Sequence, residues 1–202
     1  MVGDMGSIVF PASHVMVSWM KEVEKKNPGY WNKKNIVGKK SFNAEIHDKI
    51  SSFPELGCGT GIVGLTAAAC GAHAILSDLK IYTPAIEENI EANTDIITGK
   101  AEARHIDWTE DVPQDLLNNA DTVLVCDCVY YEASLDPLIK TISSLAKPTS
   151  DVILAYERRS DKIALYEEFF MKANRVFSVT EVGHQTLENG NEVFLYKMQI
   201  KL

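Results

Sequence analysis

The sequence predicts an α/β protein with a doubly wound, mostly parallel sheet that closes on an antiparallel hairpin. Three observations carry that expectation. From Gly57 onward, short apolar runs alternate with helical patterns, the order of a parallel sheet covered on both faces. The stretch PELGCGTGIVG, residues 54–64, places Gly57, Gly59, Gly61 and Gly64 within eleven positions, as at the first turn of a ligand-binding βα unit. Near the C-terminus, VFSVTEV and EVFLYKMQI flank the turn residues ENGN, a hairpin signal.

The elements follow in chain order. Val15, Met16, Trp19, Met20 and Val23 recur at helical spacing, so Pro11 to Lys26 reads as an amphipathic helix. Phe42, Ile46, Ile50 and Phe53 also recur at helical intervals, whereas a central parallel strand shows a nearly continuous apolar run. Pro54 adds to the difficulty, since it has no N–H for a neighbouring strand. Ser41 to Phe53 is therefore expected to form a short helix or loop excursion that leaves the first strand shortened or poorly paired.

AHAILSD (72–78) reads as a strand. Thr83-Pro84 starts a helix, with the threonine oxygen available to cap it and the proline in the first turn; Ile86 and Ile90 supply its inward stripe. AEARHI (101–106), DTVLVCD (121–127) and DVILAYE (151–157) are further strands, separated by helices near Leu135–Leu145 and Lys162–Asn174. The whole is read as one domain: a helical segment over residues 1–31, an irregular or inserted segment over 32–54, and a core over 55–202.

Composition excludes several classes of function. With 202 residues, 46% of them hydrophobic, the chain suits one globular core. Apolar runs such as TVLVC (122–126) fall far short of the ~20 residues of a membrane helix, and MVGDMGSIVF lacks a basic-then-apolar leader pattern; a soluble, cytoplasmic monomer is expected. Cys58, Cys70, Cys126 and Cys128 form no CxxC pair and have no histidine at ligand spacing, so they read as reduced thiols without a metal. A formal charge of -8 and a pI near 5.1 argue against a nucleic-acid partner, which rewards a basic face. Lys21, Lys25, Lys26, Lys33, Lys34, Lys39 and Lys40 are crowded locally, as a solvated helix end and loop or, alternatively, a docking patch.

The glycine loop offers backbone N–H groups and bare Cα positions where a side chain would collide with a ligand. Asp78 ends the following strand, where a carboxylate in this architecture grips ribose hydroxyls. Adenosine is the first inference, which leaves nicotinamide cofactors and S-adenosylmethionine. Glu55, just before the glycines, suits an ammonium and would repel a pyrophosphate; with the terminal hairpin, it favours S-adenosylmethionine.

ELGCGTGIVGLTAA with Asp78, then CDCVYYEASLDPLIKT, then YERR resembles the seven-stranded (class I) S-adenosylmethionine-dependent methyltransferases, and among them the protein-lysine methyltransferases that carry a DxxY motif. The resemblance covers Gly6 to about Lys26 and Glu55 to the end. It implies a seven-stranded Rossmann-like sheet, S-adenosyl-L-methionine as cofactor, and a protein substrate, an AAA ATPase chaperone. Gly57, Cys58 and Gly59 would line the methionine and ribose, Asp78 would hold the ribose hydroxyls, Trp108 would cover the adenine, and Cys126 would contribute at the end of the fourth strand. Phe10 stands where the family usually has tryptophan, a smaller contact. Asp127 and Tyr130 are the DxxY pair and would meet the lysine, as catalytic residues; a helix cap and core packing are the plainer roles for them. Glu157, Arg158 and Arg159 suit either a second substrate-side group or a surface ion pair.

Two departures from the family pattern stand out. SFNAEIHDKISSF follows Gly38-Lys39-Lys40 where an apolar strand is usual, and the chain begins close to the FPA segment at Phe10–Ala12, so the preceding strands of that family are not expected. A methyltransferase-fold binding module without turnover, or a small-molecule methyltransferase, therefore remains an alternative function. Nucleic-acid amino-methylation is disfavoured because DCVY (127–130) replaces the (D/N)PP(Y/F/W) pattern.

Overall fold

A computed structural model describes residues 9–32 and 52–202. Helix α1 (Pro11–Lys26) has the expected bounds, with Pro11 in its first turn and Lys25 and Lys26 in its last, where cations meet the negative end of the helix dipole. Its buried stripe of Ala12, Val15, Met16 and Met20 packs with fully buried Trp31, whose Nε1–H donates to the Met20 carbonyl at 3.1 Å.

Seven strands follow: β1 (Ser52–Leu56), β2 (His73–Asp78), β3 (Lys100–His105), β4 (Ala120–Cys126), β5 (Ala146–Arg158), β6 (Phe177–Thr186) and β7 (Glu192–Ile200). Between them lie α2 (Ile62–Ala69), α3 (Thr83–Ala92), α4 (Leu135–Leu145) and α5 (Ile163–Ala173). They form one sheet in the order β3-β2-β1-β4-β5-β7-β6. The first five strands pair in parallel, while β7 runs antiparallel to β5 and β6.

Central strands are apolar on both faces because both are covered. Val123 and Val125 of β4, and Val152, Leu154 and Tyr156 of β5, face a core shared with α4 and α5. The intervening Leu124, Ile153 and Ala155 face a second core shared with α1, α2 and α3. With both faces covered, successive residues are all apolar, the near-continuous run of a buried parallel strand. Among the described residues, no helix is long and apolar enough to cross a membrane.

Three expectations need correction. Ser52 and Phe53 belong to β1 rather than to the excursion expected over Ser41–Phe53, and Pro54 to β1 rather than to an irregular segment ending there; residues 33–51 lie outside the described residues. The strand is short yet pairs continuously with β2 from Ser52↔His73 to Leu56↔Ser77. Against β4 its register slips between Ser52 and Glu55, the interval that contains Pro54, whose missing N–H cannot serve a regular ladder. Thr83 is the first residue of α3 rather than its cap, and its Oγ1 is buried without a hydrogen-bond partner. β5 starts at Ala146 rather than Asp151, directly after α4.

Candidate functional site

Strand order reverses between β1 and β4: β1 leads on to β2 on one side, and β4 leads on to β5 on the other. The loops leaving the C-terminal ends of β1 and β4 therefore diverge and open a crevice, the usual ligand position in such a sheet. Gly57, immediately after β1, has φ +59°, and a Cβ built on it would lie 3.0 Å from Trp108 Cζ2 and 3.1 Å from Cys128 Sγ. The β1 loop, the tryptophan after β3 and the turn after β4 meet there.

The other glycines of the loop do different work. A Cβ at Gly61 would strike Leu76 Cδ2 at 2.4 Å, and one at Gly64 would strike Glu55 Oε2 and Leu76 Cγ, each at 2.8 Å. They let α2 lie against β1 and β2. Of the two overlapping glycine templates, Gly61 and Gly64 let α2 close on the sheet, and Gly57 lets Trp108 and Cys128 close on the β1 turn.

Two carboxylates brace the loop. Gly64 N–H donates to Glu55 Oε2 at 2.7 Å; Glu55 is almost wholly buried, and burial pushes its pKa up to about 8. Gly59 N–H donates to Asp78 Oδ2 at 2.9 Å and Leu79 N–H to Oδ1 at 2.8 Å. Burial still raises the Asp78 pKa against those two bonds. Cys58 contributes its backbone, with N–H donating to the Ser77 carbonyl at 3.0 Å, while its side chain joins the core beside α1 and α2.

At the end of β4, Asp127 adopts φ +54°, a left-handed conformation that few residues other than glycine tolerate cheaply. Its N–H donates to the Ala155 carbonyl at 2.8 Å. Its Oδ1 accepts from Glu157 N–H at 3.3 Å, and its Oδ2 from an Arg159 guanidinium nitrogen at 2.5 Å. Arg159 Nε also lies 3.5 Å from Glu157 Oε2, and the guanidinium carbon sits 5.8 Å from the centroid of the Phe10 ring. Burial raises the Asp127 pKa, and the Arg159 charge opposes that rise.

Trp108 and Tyr130 contact at 6.2 Å between ring centroids, and Tyr130 and Tyr131 at 4.9 Å. Burial pushes the Tyr130 phenol up to about 12, so it keeps its proton at neutral pH. Tyr131 is largely exposed. Among the described residues, no cluster of His, Cys, Asp or Glu is arranged to hold a metal ion.

The expected residues fall into three groups. Gly57, Trp108 and Tyr130 line the crevice; Gly59 and Asp78 are joined at its edge, and Glu55 lies beneath the loop. Phe10 and Asp127 meet through Arg159. Cys126 departs from expectation, because its thiol lies 3.5 Å from Ser13 Oγ on α1, whereas Cys128, which the motifs did not single out, faces Gly57 and donates to the Leu56 carbonyl at 3.1 Å. Residues two apart share a face only along a regular strand, and the left-handed turn at Asp127 breaks that rule. The YERR trio also separates: Arg159 pairs with Asp127, Glu157 Oε1 accepts from Asn191 Nδ2 at 2.7 Å, and Arg158 lies 5.9 Å over the Phe194 ring. An aromatic pair, Trp108 and Tyr130, beside a glycine turn and carboxylates at two strand ends suits a flat, hydroxylated ligand with an attached chain.

Comparison with known proteins bears on this geometry. A family model described as lysine methyltransferase matches residues 1–176. Protein N-lysine methyltransferase METTL21A of Mus musculus is 31% identical over 150 residues, covering 72% of this chain and 64% of that protein. Protein-lysine N-methyltransferase EFM6 of Saccharomyces cerevisiae is 29% identical over 196 residues, covering 88% of this chain and 72% of that protein. EEF1A lysine methyltransferase 3 of Mus musculus is 35% identical over 118 residues, and the match spans 58% of this chain and 49% of that protein. The chain thus spans between about half and three quarters of the length of these relatives. Among solved structures, the YcgJ protein of Bacillus subtilis superposes with a TM-score of 0.64 at 8% identity, covering 94% of this chain and 99% of that one. TYW2 of P. horikoshii in complex with MeSAdo superposes with a TM-score of 0.58 at 16% identity, covering 96% of this chain and 64% of that one. Both likenesses concern the fold.

Proposed function

Because the chain belongs to the lysine methyltransferase family, we propose that it transfers a methyl group from S-adenosyl-L-methionine to a lysine side chain of a protein, in the crevice between Gly57 and Asp127. The observation that carries this is the meeting of the β1 glycine turn with the β4 carboxylate turn at the strand-order reversal, where Gly57 abuts Trp108 and Cys128. When bound, the cofactor supplies an electrophilic methyl on a sulfonium.

The chain's own residues bind, orient and exclude water. Gly57 admits the ligand to the loop backbone, Gly59 and Cys58 border it, and Asp78 offers carboxylate oxygens to the ribose hydroxyls. Trp108 covers the adenine, and Glu55, buried beneath the loop, braces the glycine turn through Gly64 N–H. Cys126 and Phe10 act at one remove, through Ser13 and Arg159 respectively. Tyr130 forms an aromatic wall with a polar tip, and Asp127 orients the lysine head. Methyl transfer needs a neutral amine held about 3 to 3.5 Å from the methyl carbon with its lone pair in line, so orientation and loss of one proton are the tasks of this end of the site.

The finer assignment is to an AAA ATPase chaperone as substrate, in the cytoplasm, by a monomeric enzyme. The substrate rests on the likeness of ELGCGTGIVGLTAA with Asp78, CDCVYYEASLDPLIKT and YERR to the valosin-containing protein lysine methyltransferase. A binding module without turnover is the second reading, favoured by the departure from the family pattern at SFNAEIHDKISSF.

Calorimetry with S-adenosyl-L-methionine, followed by a radiolabelled methyl assay on purified chaperone ATPases and on lysate proteins, tests the assignment. Cofactor binding with label on a lysine is the expected result. Binding without transfer to any protein supports the module, and label only on small molecules overturns the protein substrate.

A further inference from the structure

A bare carboxylate facing an incoming lysine works against methyl transfer, because it favours the ammonium form, which has no lone pair to give. Asp127 is not bare. Its Oδ2 accepts from Arg159 at 2.5 Å, and its Oδ1 accepts only a longer bond, 3.3 Å, from Glu157 N–H. The ionisable groups around it are Cys126 and Cys128 on its own segment, Glu157 on β5, Arg159 just beyond β5, and Tyr166 on α5. Among these, Arg159 is the cation. It is held in place from three sides: Asp127, Glu157 Oε2 at 3.5 Å, and the Phe10 ring at the start of α1. Glu157 is itself fixed, through Asn191 at 2.7 Å.

Resting on the lysine-methyltransferase reading above, we infer that Arg159 is a positioning residue that neutralises Asp127, so that the carboxylate accepts a hydrogen bond from the lysine without holding a proton on it. Each carboxylate oxygen has two acceptor sites, so capacity remains after Arg159 and Glu157 N–H are served. The paired guanidinium also fixes the direction of those sites. Removing the guanidinium leaves an amine and a carboxylate that keep one proton between them to higher pH, whichever atom carries it. Asp127 itself loses its counter-charge while its burial persists, so its own ionisation moves up as well.

The test compares the full chain with Arg159→Gln and Arg159→Lys. The Asp127 carboxyl carbon is followed by NMR across pH in aspartate-labelled protein, its signal identified as the one missing from Asp127→Asn. The expected result is an Asp127 midpoint at least about one pH unit higher in Arg159→Gln than in wild type, largely restored in Arg159→Lys. With whichever protein accepts label from the wild type, the acid limb of kcat/KM moves up in the same direction, while S-adenosyl-L-methionine affinity stays within a few fold. An unmoved Asp127 midpoint in Arg159→Gln overturns the inference, as does a pH profile that falls in height without shifting. Failure of the lysine reading is seen separately, as a wild type that labels no protein, and the Asp127 titration then decides alone.

Discussion

Gly64, in the first turn of α2, donates its N–H to Glu55 Oε2 at 2.7 Å and so ties that helix to the end of β1. The N–H groups of a first helical turn lack intrahelical partners, and a buried carboxylate from the preceding strand serves one of them. Burial moves the Glu55 pKa from 4.5 to about 8. The folded protein therefore binds a proton that the unfolded chain has lost between those values, and stability falls as pH rises through that window. Glu55→Gln keeps an acceptor for Gly64 without ionising. The melting temperature of wild type is expected to drop relative to Glu55→Gln between pH 5 and pH 8, as followed by scanning calorimetry; parallel curves would mean that Glu55 is charged throughout.

Gly57 and Gly190 form a matched pair for separating strain from intrusion. Both have positive φ, +59° and +84°, but a Cβ at Gly190 meets nothing within 4 Å, whereas one at Gly57 presses on Trp108 and Cys128. Gly190→Ala should cost only the left-handed backbone penalty, about 1 to 2 kcal/mol by chemical denaturation, and leave cofactor affinity unchanged. Gly57→Ala should cost more and weaken S-adenosyl-L-methionine binding at least about tenfold, because the methyl group displaces Trp108, the proposed cover of the adenine. Equal affinity in both variants would place the cofactor elsewhere.

Asp78 serves Gly59 and, in the proposed complex, the ribose. Asp78→Ala removes a charge-assisted acceptor worth roughly 1.5 to 3 kcal/mol, so affinity for the cofactor is expected to fall by about ten- to a hundredfold. Calorimetry that shows undiminished binding would leave Asp78 as a loop brace alone.

Much of this arrangement is legible in the chain because the relevant signals are local. Helix α1 is bounded by Pro11 and by the end of its apolar stripe, and the hairpin is marked by its turn residues. Local signals fail where tertiary pairing decides. Phe53 and Pro54 look unfit for a central strand, yet β2 on one side and β4 on the other recruit them, with the misfit absorbed as a register slip. That the Cys126 thiol meets Ser13 while the Cys128 thiol faces Gly57 goes with the left-handed backbone at Asp127 between them, which no alternation pattern encodes. Arg159 is visible in YERR, but its partner is 32 positions away and becomes apparent only when β4 and β5 are adjacent. The two overlapping glycine templates are separable only once Leu76 and Trp108 show which glycines close on the sheet and which closes on the tryptophan after β3.

The left-handed backbone at Asp127 also determines how its charge must be tested. Alanine at φ +54° would mix loss of the carboxylate with backbone strain, whereas asparagine tolerates that region and keeps one acceptor oxygen. Asp127→Asn should therefore fold with little loss of stability, apart from the ion pair with Arg159. The amide has no charge to hold Arg159, and its NH₂ group can turn a donor toward the guanidinium or the amine, where an acceptor is required. Methyl transfer is expected to fall by about a hundredfold or more, while S-adenosyl-L-methionine affinity stays within a few fold, because adenosine is proposed to be held by Gly57, Asp78 and Trp108 across the crevice. Arg159, released from Asp127, keeps Glu157 at 3.5 Å and the Phe10 ring, so the β5 end of the site has means to remain in place. Single-turnover methylation and cofactor calorimetry on the same preparation separate the two effects. Normal turnover in Asp127→Asn would remove the carboxylate from the chemistry and leave Asp127 as a structural turn that anchors Arg159.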